Sequence, residues 1–369
     1  MADFEIKDGV AIIPEGTREI PDNAFFGCSS LTTVVIPESV TNIGSWAFSD
    51  CSSLTSVVIP ESIKRIGSFA FFGCSSLTSV VIPKSVKIIG NNAFDGCSSL
   101  TSIVISEGVE SIKGRAFFGC SSLTSIFIPK SVTSIGEAVI GGCTSLTSIT
   151  VEDGNPIYDS RDNCNAIIET ATNTLIKGCS SPTSITIPSS VTSIRQFAFS
   201  RCSLLTSVFI PKNVTSIGEA AFSGCDSLTN IVVEDGNPIY DSRNNCNAII
   251  ETATNTLIQG CSSPTSFTIP DSVTSIGCGA FSGCYSLTSI VIPENVTSIE
   301  GHAFYGCSSL EIVHLSAGVS NFEIDSFKDC RNLKAIYVPE DKVEYYKEHF
   351  PADMHWLIVE DGSDLPVKP

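Results

Sequence analysis

A cysteine recurs every 23 residues along most of this 369-residue chain. The regular spacing forms three blocks separated by two intervals of 36 residues: Cys28, Cys51, Cys74, Cys97, Cys120 and Cys143; Cys179, Cys202 and Cys225; Cys261, Cys284, Cys307 and Cys330. We call these the ladder cysteines. A fixed period in this range is typical of one supersecondary unit stacked on copies of itself. The spacing therefore predicts a solenoid, in which each turn contacts mainly its neighbours.

The turn around Leu54 shows how each unit is expected to fold. In Leu54–Ile59, Val57 and Ile59 alternate with outward-facing residues, which predicts a short strand, and Pro60 ends it because proline has no backbone N–H. The next apolar residues recur at steps of three or four, which indicates a helical or 3₁₀ closing turn that Gly67 keeps short. The predicted fold is an α/β repeat solenoid with one short parallel strand per 23-residue turn.

Stacked turns place identical side chains above one another. The two clearest predicted core columns are a leucine column, Leu31, Leu54, Leu77, Leu100, Leu123 and Leu146, and a phenylalanine column, Phe25, Phe48, Phe71, Phe94 and Phe117. The ladder cysteines are expected to be buried thiols that pack as small hydrophobic groups, since parallel Cβ vectors suit a disulfide poorly. The chain has no C-x-x-C pair, which disfavours a zinc or iron–sulfur site.

Two longer turns interrupt the pattern. Val151–Pro188 and Val233–Pro270 are near-copies, each with 13 residues more than an ordinary turn. In each, two short apolar runs flank a polar tip, at Thr172–Thr174 and Thr254–Thr256, which predicts an added hairpin. Each also replaces the column leucine with a proline, Pro182 or Pro264.

Composition limits the classes of partner. Hydrophobic residues make up 42% of the chain and charged residues 16%, and the net charge is −18 with a pI near 4.5. Nucleic acids and anionic membranes would be repelled, and no apolar stretch is long enough to insert in a membrane. The N-terminal residues lack a signal-peptide pattern, so either the protein is not secreted or a leader precedes this sequence.

The repeated motif A-F-x-x-C-x-x-L-x-x-V-x-I-P-x-x-V-x-x-I-G resembles that of the BspA-like leucine-rich repeat proteins and covers roughly Ala24 to Pro339. Val139 and Ile140 depart from it, where Ala-Phe is the rule. The resemblance implies an adhesin-like protein of a bacterium or parasitic protist, displayed at the cell surface or secreted, that binds host or matrix proteins. We expect an N-terminal cap over 1–23, the solenoid over 24–339 with long turns near 143–179 and 225–261, and a C-terminal cap and tail over 340–369.

The outward strand position is the first candidate site. It carries Val35, Val58, Val81, Val104, Phe127, Thr150, Thr186, Phe209, Val232, Thr268, Val291, His314 and Tyr337, with no lysine or arginine. An exposed apolar strip of this length indicates a protein-binding face. The alternative is that β-branched residues simply suit the surface of a sheet.

A second candidate is a group of aromatic residues, Phe26, Trp46, Phe69, Phe72 and Phe118, at positions where other turns have mostly small or polar residues. They are either anchors for a partner or packing over the turns. An acidic segment around Asp153, Asp159 and Asp162 offers calcium ligands, but turn chemistry explains it better, because its copy has Asn244 in place of Asp162.

The sequence favours a non-enzymatic, monomeric binding solenoid that needs no cofactor and no metal. Its four histidines all lie in the last fifth of the chain, and no nucleophile elbow, phosphate loop or metalloprotease motif occurs. Two alternatives stay open: an intracellular or structural scaffold that engages proteins of its own cell, located in the cytoplasm, and a carbohydrate-binding module.

Overall fold

The computed structural model describes residues 4–180, 183–261, 266–323, 325–350 and 352–366. The chain divides into two compact units, Met1–Ser181 and Pro182–Pro369. Pro182 and Pro264, predicted to replace column leucines, lie outside the described residues.

In unit 1 each turn contributes one strand to a parallel arrangement, and we call these the front strands. The front strands form two sheets, one that ends at Ser102–Ile105 and one of Ser125–Ile128 with Ser148–Val151. Within each sheet neighbours pair with a shift of one repeat, so that Val81 lies beside Val104 and Phe127 beside Thr150. The first front strand also pairs antiparallel with Ile6–Lys7. The front strands are Val10–Ile12, Thr33–Val35, Ser56–Val57, Ser79–Ile82, Ser102–Ile105, Ser125–Ile128 and Ser148–Val151. The predicted short parallel strand in each turn is confirmed.

Each turn of unit 1 also carries a second, two-residue strand that the sequence analysis did not predict. The turn Pro60–Ile63, closed by a hydrogen bond from Ile63 N to Pro60 O (3.1 Å), leads into the extended pair Arg65–Ile66. The three-residue step from Ile63 to Ile66 therefore reflects a turn followed by a strand, not a helix. These rear strands form a parallel sheet: Glu19–Ile20, Asn42–Ile43, Arg65–Ile66, Ile88–Ile89, Ser111–Ile112 and Ser134–Ile135.

The segment that closes each turn is a chain of 3₁₀-type turns. Phe26 N donates to Asn23 O at 3.2 Å and Cys28 N to Phe25 O at 3.1 Å, the i to i−3 pattern. Alternate amides instead bond to the next turn, as Phe25 N does to Ala47 O at 2.7 Å. Left-handed backbone at Asn23 (φ 60°) keeps the segment from becoming a regular helix.

Both predicted columns lie in the core of unit 1. All six leucines are fully buried, and the phenylalanine rings stack with centroids 5.1 Å apart between Phe25, Phe48, Phe71 and Phe94, and 5.7 Å apart between Phe94 and Phe117. Phe4 extends this stack at 5.4 Å from Phe25. Each ring buries apolar surface worth about 1.5–3 kcal/mol.

The ladder cysteines are free thiols, and all but Cys28 are buried. In unit 1 the thiols of Cys51, Cys74, Cys97, Cys120 and Cys143 each donate to the carbonyl of the column phenylalanine 26 residues earlier, as Cys74 Sγ does to Phe48 O at 3.1 Å. The thiol therefore combines the volume of a small apolar group with a weak donor.

The long turn of unit 1 contains the predicted hairpin. Ala166–Glu169 and Thr174–Gly178 pair antiparallel around the polar tip, and Tyr158–Asp159 pairs antiparallel with the first of them. A short 3₁₀ helix, Arg161–Asn163, precedes the hairpin.

Unit 2 repeats this plan. Its front strands are Ser184–Thr186, Ser207–Ile210, Asn230–Val233, Ser266–Thr268, Ser289–Val291, Ile312–His314 and Ala335–Val338. Its rear strands are Ser193–Ile194, Ser216–Ile217, Ser275–Ile276, Ser298–Ile299 and Asn321–Phe322. The long turn again forms a hairpin, from Tyr240–Asp241, the 3₁₀ helix Arg243–Asn245, Ala248–Glu251 and Thr256–Gly260.

The C-terminal segment of unit 2 differs from the repeats. It comprises the 3₁₀ helix Glu340–Lys342, the α-helix Val343–His349, the 3₁₀ helix Ala352–Leu357 and the strand Ile358–Glu360, which pairs with the last front strand. Tyr346 is fully buried, and its hydroxyl donates to Ser316 O at 2.9 Å and Val319 O at 3.0 Å.

Candidate functional site

The outward residues of the front strands form an exposed row, which we call the sheet row. In unit 1 it contains Val35, Val58, Val81, Val104, Phe127 and Thr150, all exposed, with Val58 the most open at 80%. Their strand neighbours are buried, Val57 at 7% and Ile59 at 6%, which confirms the predicted alternation. The side chains point outward because successive residues of a strand face opposite sides.

A row of threonines beside the sheet row serves the fold itself. Thr101 Oγ1 donates to Thr78 O at 3.1 Å, and Thr147 Oγ1 donates to Thr124 O at 3.0 Å. These threonine hydroxyls therefore bond to backbone carbonyls of the preceding turn. Because these hydroxyls are already bonded, the apolar side chains of the sheet row are the more available contact groups.

Ile12 extends the sheet row by one turn, since it pairs with Val35 and is exposed. The sequence analysis missed it because the first strand lacks the repeat motif around it. Its alternating neighbours, buried Ala11 and Ile13, carry the signal that identifies it.

In unit 2 the sheet row contains Thr186, Phe209, Val232, Thr268 and Val291, all exposed. His314 follows and is half-buried; its ring stacks on Tyr337 with centroids 4.9 Å apart, and its Nδ1 lies 3.1 Å from Asp361 Oδ1.

Tyr337 does not belong to the exposed row. It is 9% exposed because the C-terminal strand Ile358–Glu360 pairs beside it, with Val359 opposite Tyr337. The sequence analysis placed Tyr337 at the surface since it did not predict this strand. A shallow cavity of about 320 Å³ lies at this end of the row, with Val291, His314 and Asp361 among its lining residues.

Charged groups lie at one end of the front strands in unit 1. Lys130 Nζ lies 3.6 Å from both Glu107 Oε1 and Glu152 Oε1, and the Lys130 N–H donates to Glu152 Oε2 at 2.9 Å. That backbone hydrogen bond is the main reason why the pKa of Glu152 is lowered. These pairs border an otherwise uncharged sheet row.

Four of the five predicted aromatic residues form a second surface on the closing turns of unit 1. Trp46 and Phe69 stack face to face, with centroids 3.9 Å apart and an interplanar angle of 3°. Phe72 lies 6.0 Å from Trp46 and 5.8 Å from Phe69, and Phe26 meets Trp46 edge-on at 6.2 Å. We call these four residues the corner cluster; Phe26 is 52% exposed and the other three are partly exposed.

Phe118, the fifth aromatic residue, packs separately. The guanidinium carbon of Arg115 lies 3.6 Å from its ring centroid, and Arg115 Nη2 lies 3.1 Å from Asp95 Oδ2. Phe118 is therefore engaged within its own unit, so of the predicted group only the corner cluster stays a candidate anchor.

In the acidic segment of the long turn, the polar side chains bond to neighbouring groups of the protein. Asp159 forms an ion pair with Arg161, whose Nε lies 2.9 Å from both carboxylate oxygens. Asn155 accepts from the N–H groups of Ile157 (2.9 Å) and Tyr158 (2.8 Å) and donates to Val132 O at 2.9 Å. Within the described ranges, no group of His, Cys, Asp or Glu side chains is arranged to hold a metal ion.

His302 and Cys307, a histidine and a cysteine close together in the sequence, have separate partners. His302 Nε2 lies 3.1 Å from Asp325 Oδ2, whereas Cys307 is buried and donates to Phe281 O at 3.1 Å. Hydrogen bonds with the thiols of Cys284 and Cys330 raise the pKa of the Cys307 thiol, and burial raises it further. A raised thiol pKa disfavours the thiolate that a nucleophile requires.

For the part of the chain that the structure covers, no helix has the length and apolar character needed to cross a membrane.

Solved structures of bacterial proteins resemble this chain over most of its length. A leucine-rich cell-surface protein of Faecalibacterium prausnitzii is 29% identical, with a TM-score of 0.60 over 92% of this chain and 90% of that one. The pneumococcal vaccine antigen PcpA is 21% identical, with a TM-score of 0.60 over 95% of this chain and 89% of that one. Because PcpA is 21% identical to this chain, the likeness supports the fold alone. Among curated proteins, none matches this chain.

The family model described as "BspA type Leucine rich repeat region (6 copies)" matches residues 10–84, 64–166, 169–255 and 251–354. These segments span the front strands, the rear strands and both long turns described above. The chain belongs to the BspA-type leucine-rich repeat family.

Proposed function

We propose that this protein is a non-enzymatic, adhesin-like binding solenoid whose sheet row engages a host or extracellular-matrix protein. The observation that carries the proposal is the sheet row itself, a series of exposed apolar side chains without a lysine or arginine on a chain of net charge −18. Apolar strips of this kind are typical of protein interaction sites.

Location at the cell surface or secretion belongs to the same proposal, as does action as a monomer. The surface location is supported by the Faecalibacterium protein, which is described as a cell-surface protein and is 29% identical to this chain. A protein at that location meets host and matrix proteins directly, whereas a cytoplasmic scaffold meets proteins of its own cell.

Charge introduced at the sheet row tests the proposal. We expect Phe127→Asp in unit 1 and Phe209→Asp in unit 2 to weaken binding to purified extracellular-matrix proteins by at least about tenfold each, because a buried carboxylate at an interface centre lacks a partner. Both phenylalanines are partly open, 46% and 43% exposed, so the substitutions should leave the fold intact. Surface plasmon resonance measures the affinity and circular dichroism the fold.

Leu204→Asp is the matched control, because Leu204 is 49% exposed but lies off the front strands. It should bind as the unmodified protein does. Equal binding by all three folded variants would contradict the proposal. Binding on a glycan array together with no protein binding would favour the carbohydrate-binding alternative, and binding confined to proteins of the producing cell would favour the scaffold.

A further inference from the structure

Two residues of the corner cluster, Trp46 and Phe69, occupy a backbone position that disfavours aromatic residues. The same corner of each turn is left-handed throughout unit 1, with φ between 51° and 60° at Asn23, Trp46, Phe69, Asn92, Arg115 and Ala138. Asparagine tolerates this conformation, whereas a bulky side chain there is an outlier. Trp46 and Phe69 therefore stand where an asparagine would fold with less strain.

Strained positions that persist are concentrated at ligand-binding and catalytic sites. Stacking of Trp46 on Phe69 offsets part of the strain, but it leaves both rings partly exposed to solvent. Phe26, beside them, is more than half exposed. Packing over the turns therefore does not fully account for the cluster.

A carboxylate lies next to the chain segment that carries one ring of the cluster. Asp50 is exposed, its N–H donates to Phe72 O at 2.7 Å, and its Oδ1 lies against the backbone of Gly73, the residue that follows Phe72. Asp50 is also left-handed (φ 59°), at a corner where the neighbouring turns have Gly27 and Gly73. Asp50 therefore places a negative charge beside the backbone that carries the Phe72 ring.

Another site in unit 1 shows which group an aromatic ring and a carboxylate can bind together. Two turns further on, the Arg115 guanidinium lies 3.6 Å from the Phe118 centroid, and its Nε and Nη2 donate to Asp95 Oδ2 at 3.2 and 3.1 Å. A ring face and a carboxylate thus bind one guanidinium together, through the attraction of a cation to the π face and a charge-assisted hydrogen bond.

We propose that the corner cluster and Asp50 form a second binding site, distinct from the sheet row, for an arginine-bearing basic peptide segment of a partner protein. The ring faces of Trp46, Phe69 and Phe26 accept the guanidinium groups, and Asp50 neutralises them. The net charge of −18 attracts a basic segment and repels an acidic one.

The test uses a capped Gly-Arg-Gly-Arg-Gly peptide and the full chain, with the corresponding lysine and glutamate peptides for comparison. The protein has two tryptophans, so a Trp356→Phe background makes Trp46 the sole indole reporter. We expect the arginine peptide to change Trp46 fluorescence saturably, the lysine peptide to bind less tightly, and the glutamate peptide to have no effect.

Trp46→Asn with Phe69→Asn separates aromatic recognition from general charge attraction, since it leaves the net charge unchanged. Asn23 and Asn92 already occupy this corner, so the variant should fold. Calorimetric titration should show arginine-peptide affinity reduced by about tenfold. The control Leu204→Asn should retain full affinity. Unchanged affinity in the double variant, or no binding by the unmodified protein, would overturn the proposal.

A second experiment compares Asp50→Asn with Glu61→Gln. Both substitutions remove one negative charge from an exposed position of unit 1, but only the first lies next to a residue of the corner cluster. Only Asp50→Asn should weaken the arginine peptide several-fold; equal loss in both variants would contradict a local role for Asp50. If the double corner variant does not fold, Phe26→Ala, which removes an exposed ring, replaces it. The sheet-row variants should bind the peptide normally, so this proposal and the proposed function succeed or fail separately.

Discussion

The ladder cysteines show what one repeated residue position requires. In unit 1 the ladder position is fully buried and offers a carbonyl 3.1–3.2 Å away, as at Cys51 and Cys97. A thiol meets both conditions, whereas alanine offers no donor and serine costs more to bury. Burial also raises the thiol pKa, to about 12 for Cys51.

Thiol reactivity should follow this burial. Cys28, Cys246 and Cys278 are the partly exposed cysteines, and the other thirteen are buried. We expect brief iodoacetamide treatment of the native protein at pH 8 to modify these three first, because alkylation needs an accessible thiolate. Peptide mass spectrometry reads out the sites. Equally fast labelling of Cys74 and Cys97 would show that the ladder is open to solvent.

Single-residue patterns predicted the core well and the surface less well. The columns at Phe71 and Leu77 were evident because the core position is the same in every turn. Tyr337 was misplaced since its cover, the strand Ile358–Glu360, has no counterpart in the repeat. The strain at Trp46 and Phe69 was not foreseen, because the left-handed corner becomes visible only once the backbone is known.

At the scale of the turn, three glycines allow the rear strands to stack. Gly67 N donates to Ile43 O at 2.9 Å, and a Cβ on Gly67 would lie 2.5 Å from the carbonyl carbon of Gly44. A Cβ on Gly90 would likewise lie 2.6 Å from that of Gly67. From the sequence, Gly67 is expected to interrupt a helix; in the structure it instead allows close backbone approach between successive turns.

Gly67→Ala should therefore destabilise unit 1 by about 1–3 kcal/mol, the usual cost of overpacking against atoms that cannot move aside. Urea denaturation measures the change. Gly114→Ala is the matched control, since a Cβ there would meet its nearest atom at an ordinary 3.4 Å. It should be neutral or slightly stabilising. A Gly67→Ala protein as stable as the control would refute the close-approach explanation.

The closing segments and rear strands could be predicted only in part. Steps of three and four residues fit a 3₁₀ turn, and the i to i−3 hydrogen bonds at Phe26 and Cys28 agree with it. The same steps also fit a turn followed by Arg65–Ile66, a two-residue strand too short to show an alternating pattern. The hairpin around Thr172–Thr174 was predictable, because its two apolar runs are longer and flank a polar tip.

At the scale of the whole molecule, the many buried thiols are expected to lower the free energy of unfolding at alkaline pH. Burial raises the pKa of Cys51 and of Cys143 from the ordinary 9.0 to about 12. Between these values the unfolded chain releases thiol protons and the native chain keeps them. Unfolding becomes more favourable as pH rises through this window, by up to about 1.4 kcal/mol per pH unit for each such thiol.

We therefore expect the free energy of unfolding to be insensitive to these thiols below pH 8 and to fall steeply from pH 9 to 11. Cys51→Ala with Cys143→Ala should show a shallower fall over the same range, whatever its stability at neutral pH. Urea titrations at stepped pH provide the slopes. Identical slopes for the two proteins would mean that these thiols do not drive the alkaline loss of stability.

Photo-crosslinking shows whether the sheet row makes the contact with a bound protein. A benzoyl-phenylalanine placed at Val81 or Phe209, both exposed on front strands, should crosslink to a bound matrix protein under ultraviolet light. The same group at Leu204, exposed off the front strands, should give little product. Crosslinks from Leu204 with none from Val81 or Phe209 would contradict the account.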